Sequence, residues 1–294
     1  MTTKRTAFVF AGGGSLGAVQ VGMLQTLVKH GIKPDFVVGA SVGAINCAHY
    51  AGRPDVAGVA ELRRIWFGIR KEDVFPVSLK TTLTSIALRR NYLVDPGGLQ
   101  KLIAEGLRFR DFKDAVIPCH VVATDFYNGY DVTFSEGDAH KAILASAAIP
   151  SVFPAVQYDD RFLVDGGVAS NTPVSAAVAL GAQRVIVLPT GFSCSITEAP
   201  RTIVATALHA LNLMIMKQLV RDTEYNHDKA EIVVVPPLCP VTVTPYDFSQ
   251  TRDLIDRARV STEKWLAEGG LHSEEIPHQL YPHHDGDEGD YPHG

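Results

Sequence analysis

A serine framed by glycines, Gly39-Ala40-Ser41-Val42-Gly43, follows the apolar run Phe36-Val37-Val38 and precedes residues with helical spacing. A G-x-S-x-G pattern on a strand-to-helix turn holds its hydroxyl exposed at the carboxyl end of the strand. The helix that follows puts a partial positive charge beside the alkoxide that develops there. Gly39 and Gly43 are needed because so sharp a turn brings backbones too close for a Cβ. The chemistry open to such a serine is nucleophilic attack on an acyl carbon.

A second glycine cluster, Gly12-Gly13-Gly14, sits after the apolar run Thr6 to Ala11. Gly12-x-Gly14-x-x-Gly17 also matches a dinucleotide-binding fingerprint, which expects an acid at the end of the second strand. The nearby acid, Asp35, stands at the beginning of that strand instead. As an oxyanion hole the cluster is better placed, its bare N–H groups aimed beside Ser41. One such donor is worth about 2.7–4 kcal/mol of transition-state stabilisation.

A serine nucleophile needs a base. In a triad this is a histidine oriented by an acid. After Val164-Asp165-Gly166-Gly167 the histidines of the body are His209, inside the uncharged run Ile203 to Met216, and His227, near the end of the same helix. Neither has loop context. Asp165 is the other candidate: Gly166 and Gly167 let its turn tuck against the hydroxyl, and burial raises a carboxylate from its free pKa near 3.9 toward that of a useful base.

The elements that must position these groups read as an α/β protein. Thr6 to Ala11 and Phe36 to Val38 are strands, and Val19, Met23, Leu24 and Leu27 mark a helix between them that closes at His30-Gly31. A helix from about Val42 to Tyr50 completes a β-α-β-α opening, which predicts a parallel sheet covered on both faces. Further strands are expected at Ile117 to Ala123, Asp131 to Phe134, Val185 to Leu188 and Ile232 to Val235, with a hairpin over Ala155 to Val164 turning at Asp159-Asp160. A long helix lies between the last two strands, and another spans about Thr251 to Ala267.

The three motifs, in this order and spacing, resemble the patatin-like phospholipase family. Ala145-Ser146-Ala147-Ala148-Ile149-Pro150 and Asn171-Thr172-Pro173 extend the similarity, which covers roughly residues 6 to 240. The resemblance implies a three-layer α/β/α patatin-like fold with a mainly parallel central sheet. It implies a Ser41–Asp165 dyad, with Gly12, Gly13 and Gly14 as the oxyanion hole. It also implies cleavage of fatty-acyl esters of lipids (as a phospholipase A, lysophospholipase or general lipid esterase) through an acyl-enzyme, without metal or cofactor. Leu16 stands where many members carry Arg or Lys. The rival classes are a non-catalytic lipid-binding or scaffold protein of the same fold and a dinucleotide-binding oxidoreductase.

Composition bounds the partners. The 294 residues are 46% hydrophobic and 20% charged, ordinary for a globular chain. Cys47, Cys119, Cys194 and Cys239 form no C-x-x-C pair, and the N-terminus lacks a signal peptide's apolar core, so a cytoplasmic location is expected. Residues 271–294 carry six acids and no Lys or Arg; without them the body holds 27 basic and 26 acidic residues, and bulk charge gives nucleic-acid binding no support. The layout expected is one catalytic domain over residues 1–270 and a disordered, acidic tail with five histidines. Within the domain, residues 53–110 read as a helical lid or insertion of net charge +5. Trp66-Phe67 before Arg70-Lys71, and Ile86 to Leu88 before Arg89-Arg90, leave two readings open: a face that rests peripherally on an anionic membrane, or ordinary helices with solvated basic faces. Nothing in the chain sets an oligomeric state.

Overall fold

The computed structural model describes residues 4–76, 92–191, 203–241 and 243–280, without the side chains of 203–213, 216 and 278. In chain order the strands are β1 (Thr6–Phe10), β2 (Phe36–Ala40), β3 (Cys119–Asp125), β4 (Asp131–Phe134), β5 (Val156–Tyr158), β6 (Arg161–Val164), β7 (Arg184–Leu188) and β8 (Glu231–Val234). The helices are α1 (Gly17–Lys29), α2 (Val42–Gly52), α3 (Val56–Gly68), α4 (Lys71–Val74), α5 (Gly97–Gly106), α6 (Ala139–Ser146), α7 (Gly167–Ser170), α8 (Val174–Ala179), α9 (Ile203–Asn226) and α10 (Thr251–Ala267).

One sheet runs in the order β5-β6-β3-β2-β1-β7-β8, with β4 on the free side of β3. β3, β2, β1, β7 and β8 are mutually parallel, and β4, β5 and β6 join antiparallel. A parallel sheet must be covered on both faces, which is why its strands read as unbroken apolar runs. Alternation along each strand then feeds two cores. Phe8, Phe10, Val37, Val121 and Ile186 face α1, α2, α3 and α10. Ala7, Val9, Val38, Val122 and Val187 face α8 and α9. The result is the three-layer α/β/α arrangement, with the carboxyl ends of β1 and β2 at one rim.

Two expectations change. Trp66 is buried, its indole N–H donating to Asn46 Oδ1 at 2.9 Å, and Phe67 is flanked by the guanidiniums of Arg63 and Arg252 at 4.7 and 4.0 Å. The Trp66 ring is thus spent on packing within the fold, and the partly buried Phe67 on cation–π contacts; Lys80, Ile86, Ala87, Leu88, Arg89 and Arg90 lie outside the described residues. The second concerns the acidic tail. Its first ten residues pack on the body: Leu271 and Ile276 lie partly buried against the two cores, Leu280 is buried, and Arg184 donates to the Leu271 carbonyl. Three apolar anchors hold a segment whose overall composition reads as solvated. The rest, 281–294, lies outside the described residues, as does Cys194.

Gly43 lies hard against the end of β1, where a Cβ would come within 2.6 Å of the Ala11 carbonyl oxygen. Gly43→Ala is expected to lower stability by about 1–3 kcal/mol or more by overpacking. A denaturant midpoint equal to that of the wild type would show that the turn has slack.

Candidate active site

Ser41 stands between β2 and α2 with φ 54° and ψ −128°, a left-handed conformation that costs a non-glycine residue about 1–3 kcal/mol. The surroundings hold it there. Its N–H donates to Ser146 Oγ at 2.9 Å, and the Ser146 hydroxyl donates to the Val122 carbonyl of β3 at 2.6 Å. Gly39 and Gly43 sit back to back across the turn, so that a Cβ on Gly39 would lie 2.6 Å from the Gly43 carbonyl carbon.

Asp165 arrives from the opposite direction. β2 ends with Ala40 beside Val122, and β6 ends with Val164 beside Thr124, on the same side of β3 but running the other way. The two strands approach end to end, and the residues that follow them meet. Ser41 Oγ donates to Asp165 Oδ2 at 2.7 Å. Asp165 Oδ1 accepts from the Gly167 N–H at 2.7 Å, its carbonyl accepts from Thr124 Oγ1 at 2.8 Å, and its N–H donates to the Ala148 carbonyl at 2.9 Å.

Ser41 is 8% exposed and Asp165 is 6% exposed. Burial pushes the Asp165 carboxyl up to about 6, although its hydrogen bonds from Ser41 and Gly167 favour the ionised form and oppose the rise. The carboxylate is thus a stronger base than a free aspartate and remains ionised at neutral pH. Of the two histidines weighed as bases, one can be placed. His227 is exposed at the end of α9, facing the Glu224 carbonyl at 2.8 Å and the Asp228 carboxylate at 3.0 Å, and the side chain of His209 lies outside the described residues.

The glycine loop follows β1. Gly13 and Gly14 take φ values of 157° and 58°, and the loop is held from outside by the Ser15 N–H, which donates to the Pro245 carbonyl at 2.8 Å. Among the described residues no acceptor takes the N–H of Gly13 or Gly14. Gly12 differs: its N–H donates to the Asn171 carbonyl at 2.9 Å, and its own carbonyl accepts from Thr190 Oγ1 at 2.7 Å and Asn171 Nδ2 at 3.3 Å. Its contribution is close approach, since a Cβ there would touch Ser41 Cβ at 3.0 Å and collide with the Asn171 amide. Two of the three expected donors are therefore free, and Val42, first residue of α2, offers another. Asn171 ties the aspartate turn to this loop rather than to the Asp165 carboxylate.

Leu16 is buried in the core and presents nothing to a ligand. Asp35 accepts from the Thr6 N–H at 2.6 Å, at the end of the sheet opposite the glycines, and so fills no ribose site. Ser146, Thr124 and Thr190 acquire their roles only here. Ser146 lies in a stretch that extends the family resemblance, but for Thr124 and Thr190 the only signal in the sequence is a small hydroxyl residue beside an apolar stretch.

Two clefts meet at Ser41, sharing Gly14 and Ile149. One, of about 800 Å³, is lined almost wholly by apolar side chains. Three helices build it, each giving one face: Val42, Ile45 and His49 from α2, Leu62, Ile65 and Trp66 from α3, and Leu99, Leu102, Ile103 and Gly106 from α5. The other, of about 640 Å³, carries Asp165, Asn171, Val168 and Tyr246. Burial, then the Asp165 charge, raises the Tyr246 phenol above its ordinary range.

Comparison with known proteins adds the following. The family model described as patatin-like phospholipase matches residues 8–178. Over 193 residues the chain is 26% identical to patatin-like phospholipase domain-containing protein 7 of Rattus norvegicus, which covers 65% of this chain and 14% of that protein. It is 30% identical over 199 residues to an uncharacterized NTE family protein of Mycobacterium bovis, covering 63% of this chain and 49% of the relative. The chain thus spans about half or less of the length of these relatives. Human GIVD cytosolic phospholipase A2, solved with methyl gamma-linolenyl fluorophosphonate, superposes with a TM-score of 0.50 at 13% identity, over 92% of this chain and 59% of that one, a likeness of fold.

Removing the Ser146 hydroxyl strands the Ser41 N–H, so Ser146→Ala is expected to cost about 1–3 kcal/mol in denaturant unfolding. The Asp165 shift carries its own sign. The unfolded chain releases this proton near pH 4, the folded chain near 6, so between those values the folded state binds more protons and stability falls as pH rises. Asp165→Asn is expected to remove that fall and, above about pH 6, to be the more stable protein by up to about 3 kcal/mol. Unfolding curves from pH 4 to 8 decide it; parallel pH dependences would refute it.

Proposed function

The chain belongs to the patatin-like phospholipase family, and on that premise we propose that it hydrolyses fatty-acyl esters of lipids through a Ser41–Asp165 dyad. The observation that carries the reading is the 2.7 Å hydrogen bond from Ser41 Oγ to a buried carboxylate, at the junction of two clefts, one of them almost wholly apolar. Ser41 Oγ attacks the ester carbonyl carbon as its proton passes to Asp165 Oδ2. The N–H groups of Gly13, Gly14 and Val42 receive the tetrahedral oxyanion. Collapse breaks the ester C–O bond, and the proton on Asp165 goes to the leaving alkoxide. Water then repeats the sequence on the acyl-enzyme, giving up its proton to the same carboxylate.

Asp165 lines only the second cleft, and this orients the substrate. The leaving oxygen must lie where Asp165 can protonate it, so the alcohol part occupies that cleft and the acyl chain the first, whose lining is almost wholly apolar. No metal or cofactor enters the scheme.

Membrane contact is assigned to the rim beside Asp165. Tyr127 and Tyr130, in the turn after β3, are 77% and 73% exposed. Tyr127 packs edge-on against Phe126 and Phe162 at 5.5 and 6.0 Å, and Phe162 precedes Asp165 by three residues. Val168, half exposed, continues the apolar surface into the second cleft. Aromatic rings with a polar edge favour the membrane–water interface. Among the described residues no helix is long and apolar enough to cross a membrane.

Ser41→Ala is expected to abolish ester turnover and fluorophosphonate labelling, and Asp165→Asn to lower kcat/KM by a factor on the order of 10²–10⁴. In the wild type kcat/KM should rise with pH through about 6 and then level, as the base ionises. A Ser41 adduct that forms equally fast in Asp165→Asn would remove the aspartate from the mechanism. For the rim, Phe126→Ser with Tyr127→Ser should weaken co-sedimentation with phosphatidylcholine vesicles; undiminished binding would place the contact elsewhere.

A further inference from the structure

We propose that His49 is the stop of the acyl cleft, setting the longest chain the enzyme accepts; this rests on the assignment of the apolar cleft to the acyl group. The cleft follows α2 away from the nucleophile. It touches that helix at Val42, Ile45 and His49, positions one, four and eight residues beyond Ser41 and therefore on one face. At about 1.5 Å per residue, His49 lies roughly 12 Å along the helix axis from Ser41.

At His49 the character of the walls changes. The imidazole is 3% exposed and its Nδ1 is 2.8 Å from the Gly106 carbonyl at the end of α5. A carbonyl only accepts, so Nδ1 carries the proton and the bond ties α2 to α5. Behind it, Glu61 accepts from Arg108 at 2.6 Å and lies 3.6 Å from Arg53, all three side chains reaching solvent. Arg108 follows Gly106 by two residues, and the charges of Glu61 and Arg108 are near enough to act on the imidazole. An acyl chain threading past Ile45 thus meets a hydrogen-bonded ring backed by charges. Burying further methylenes there requires breaking the His49–Gly106 bond and placing apolar carbon against an ion pair, both unfavourable.

Ile45 stands halfway along the same face, so the two positions predict opposite effects. His49→Ala deepens the cleft and favours longer chains, whereas Ile45→Phe shortens it.

The test compares kcat/KM on p-nitrophenyl butyrate, octanoate and palmitate, normalised to the fraction of Ser41 labelled by a fluorophosphonate. The wild type should cleave octanoate better than palmitate. His49→Ala should raise the palmitate-to-octanoate ratio by roughly tenfold or more, the scale set by a methylene or two in an apolar pocket. Ile45→Phe should lower the octanoate-to-butyrate ratio by a similar factor, and it decides the matter alone if His49→Ala does not fold. Unchanged ratios with Ser41 fully labelled, or a wild type that cleaves palmitate as well as octanoate, would overturn the stop while leaving the dyad intact. Absence of both labelling and turnover in the wild type would instead remove the hydrolase reading, and the stop with it.

Discussion

The site depends on one constraint of the sheet: two strands end against each other along the same edge of β3. β2 leaves that edge after Ala40, and β6, running antiparallel, reaches it two β3 residues further on. A nucleophile and a carboxylate are thereby held face to face by backbone hydrogen bonds rather than by flexible side chains. The cost appears as strain at Ser41 and as glycines wherever the chains crowd. Gly166, at the meeting point, has no room for a Cβ between the Val122 carbonyl and Ala40. Ser146 and Thr124 satisfy backbone groups that the interrupted pairing leaves exposed. Such pre-positioning removes much of the entropic cost of bringing the base to the nucleophile.

Burial of the dyad works in two directions. Exclusion of water raises the basicity of Asp165 and strengthens each hydrogen bond made there, while destabilising the ionised folded chain. Two bonds to the carboxylate moderate this without cancelling it. An aspartate tuned to about 6 is ionised at neutral pH, yet basic enough to receive a serine proton in the transition state. In the proposed mechanism no histidine is required, because burial supplies the shift that an exposed carboxylate lacks.

In the region between α2 and β3 two of the described helices border the apolar cleft. α3 and α5 are walls: each turns an apolar stripe toward α2, and the space between the three helices is the cleft. Glu61 of α3 pairs with Arg53, just before α3, and with Arg108, just after α5, so the basic character of the segment belongs partly to ion pairs. The aromatic surface beside the second cleft lies on the turn after β3 and on β6, on the side of the site where Asp165 stands.

By itself the sequence determined the strands, the serine turn, the glycine loop and the aspartate turn, because each is written locally. Apolar runs bounded by glycine, and glycines at fixed offsets from a serine, leave few other backbone solutions. The layered fold followed from the β-α-β-α order, whose parallel strands need cover on both faces. Tertiary structure alone decided which groups complete the site. The contact between Ser41 and Asp165 turns on β6 meeting β2, which joins residues 124 positions apart. The commitment of the Gly12 N–H to Asn171, the support from Ser146 and Thr190, and the burial of Trp66 likewise join distant segments. No local pattern encodes such contacts, because their free energy arises only when water is excluded from between elements that the chain order keeps apart.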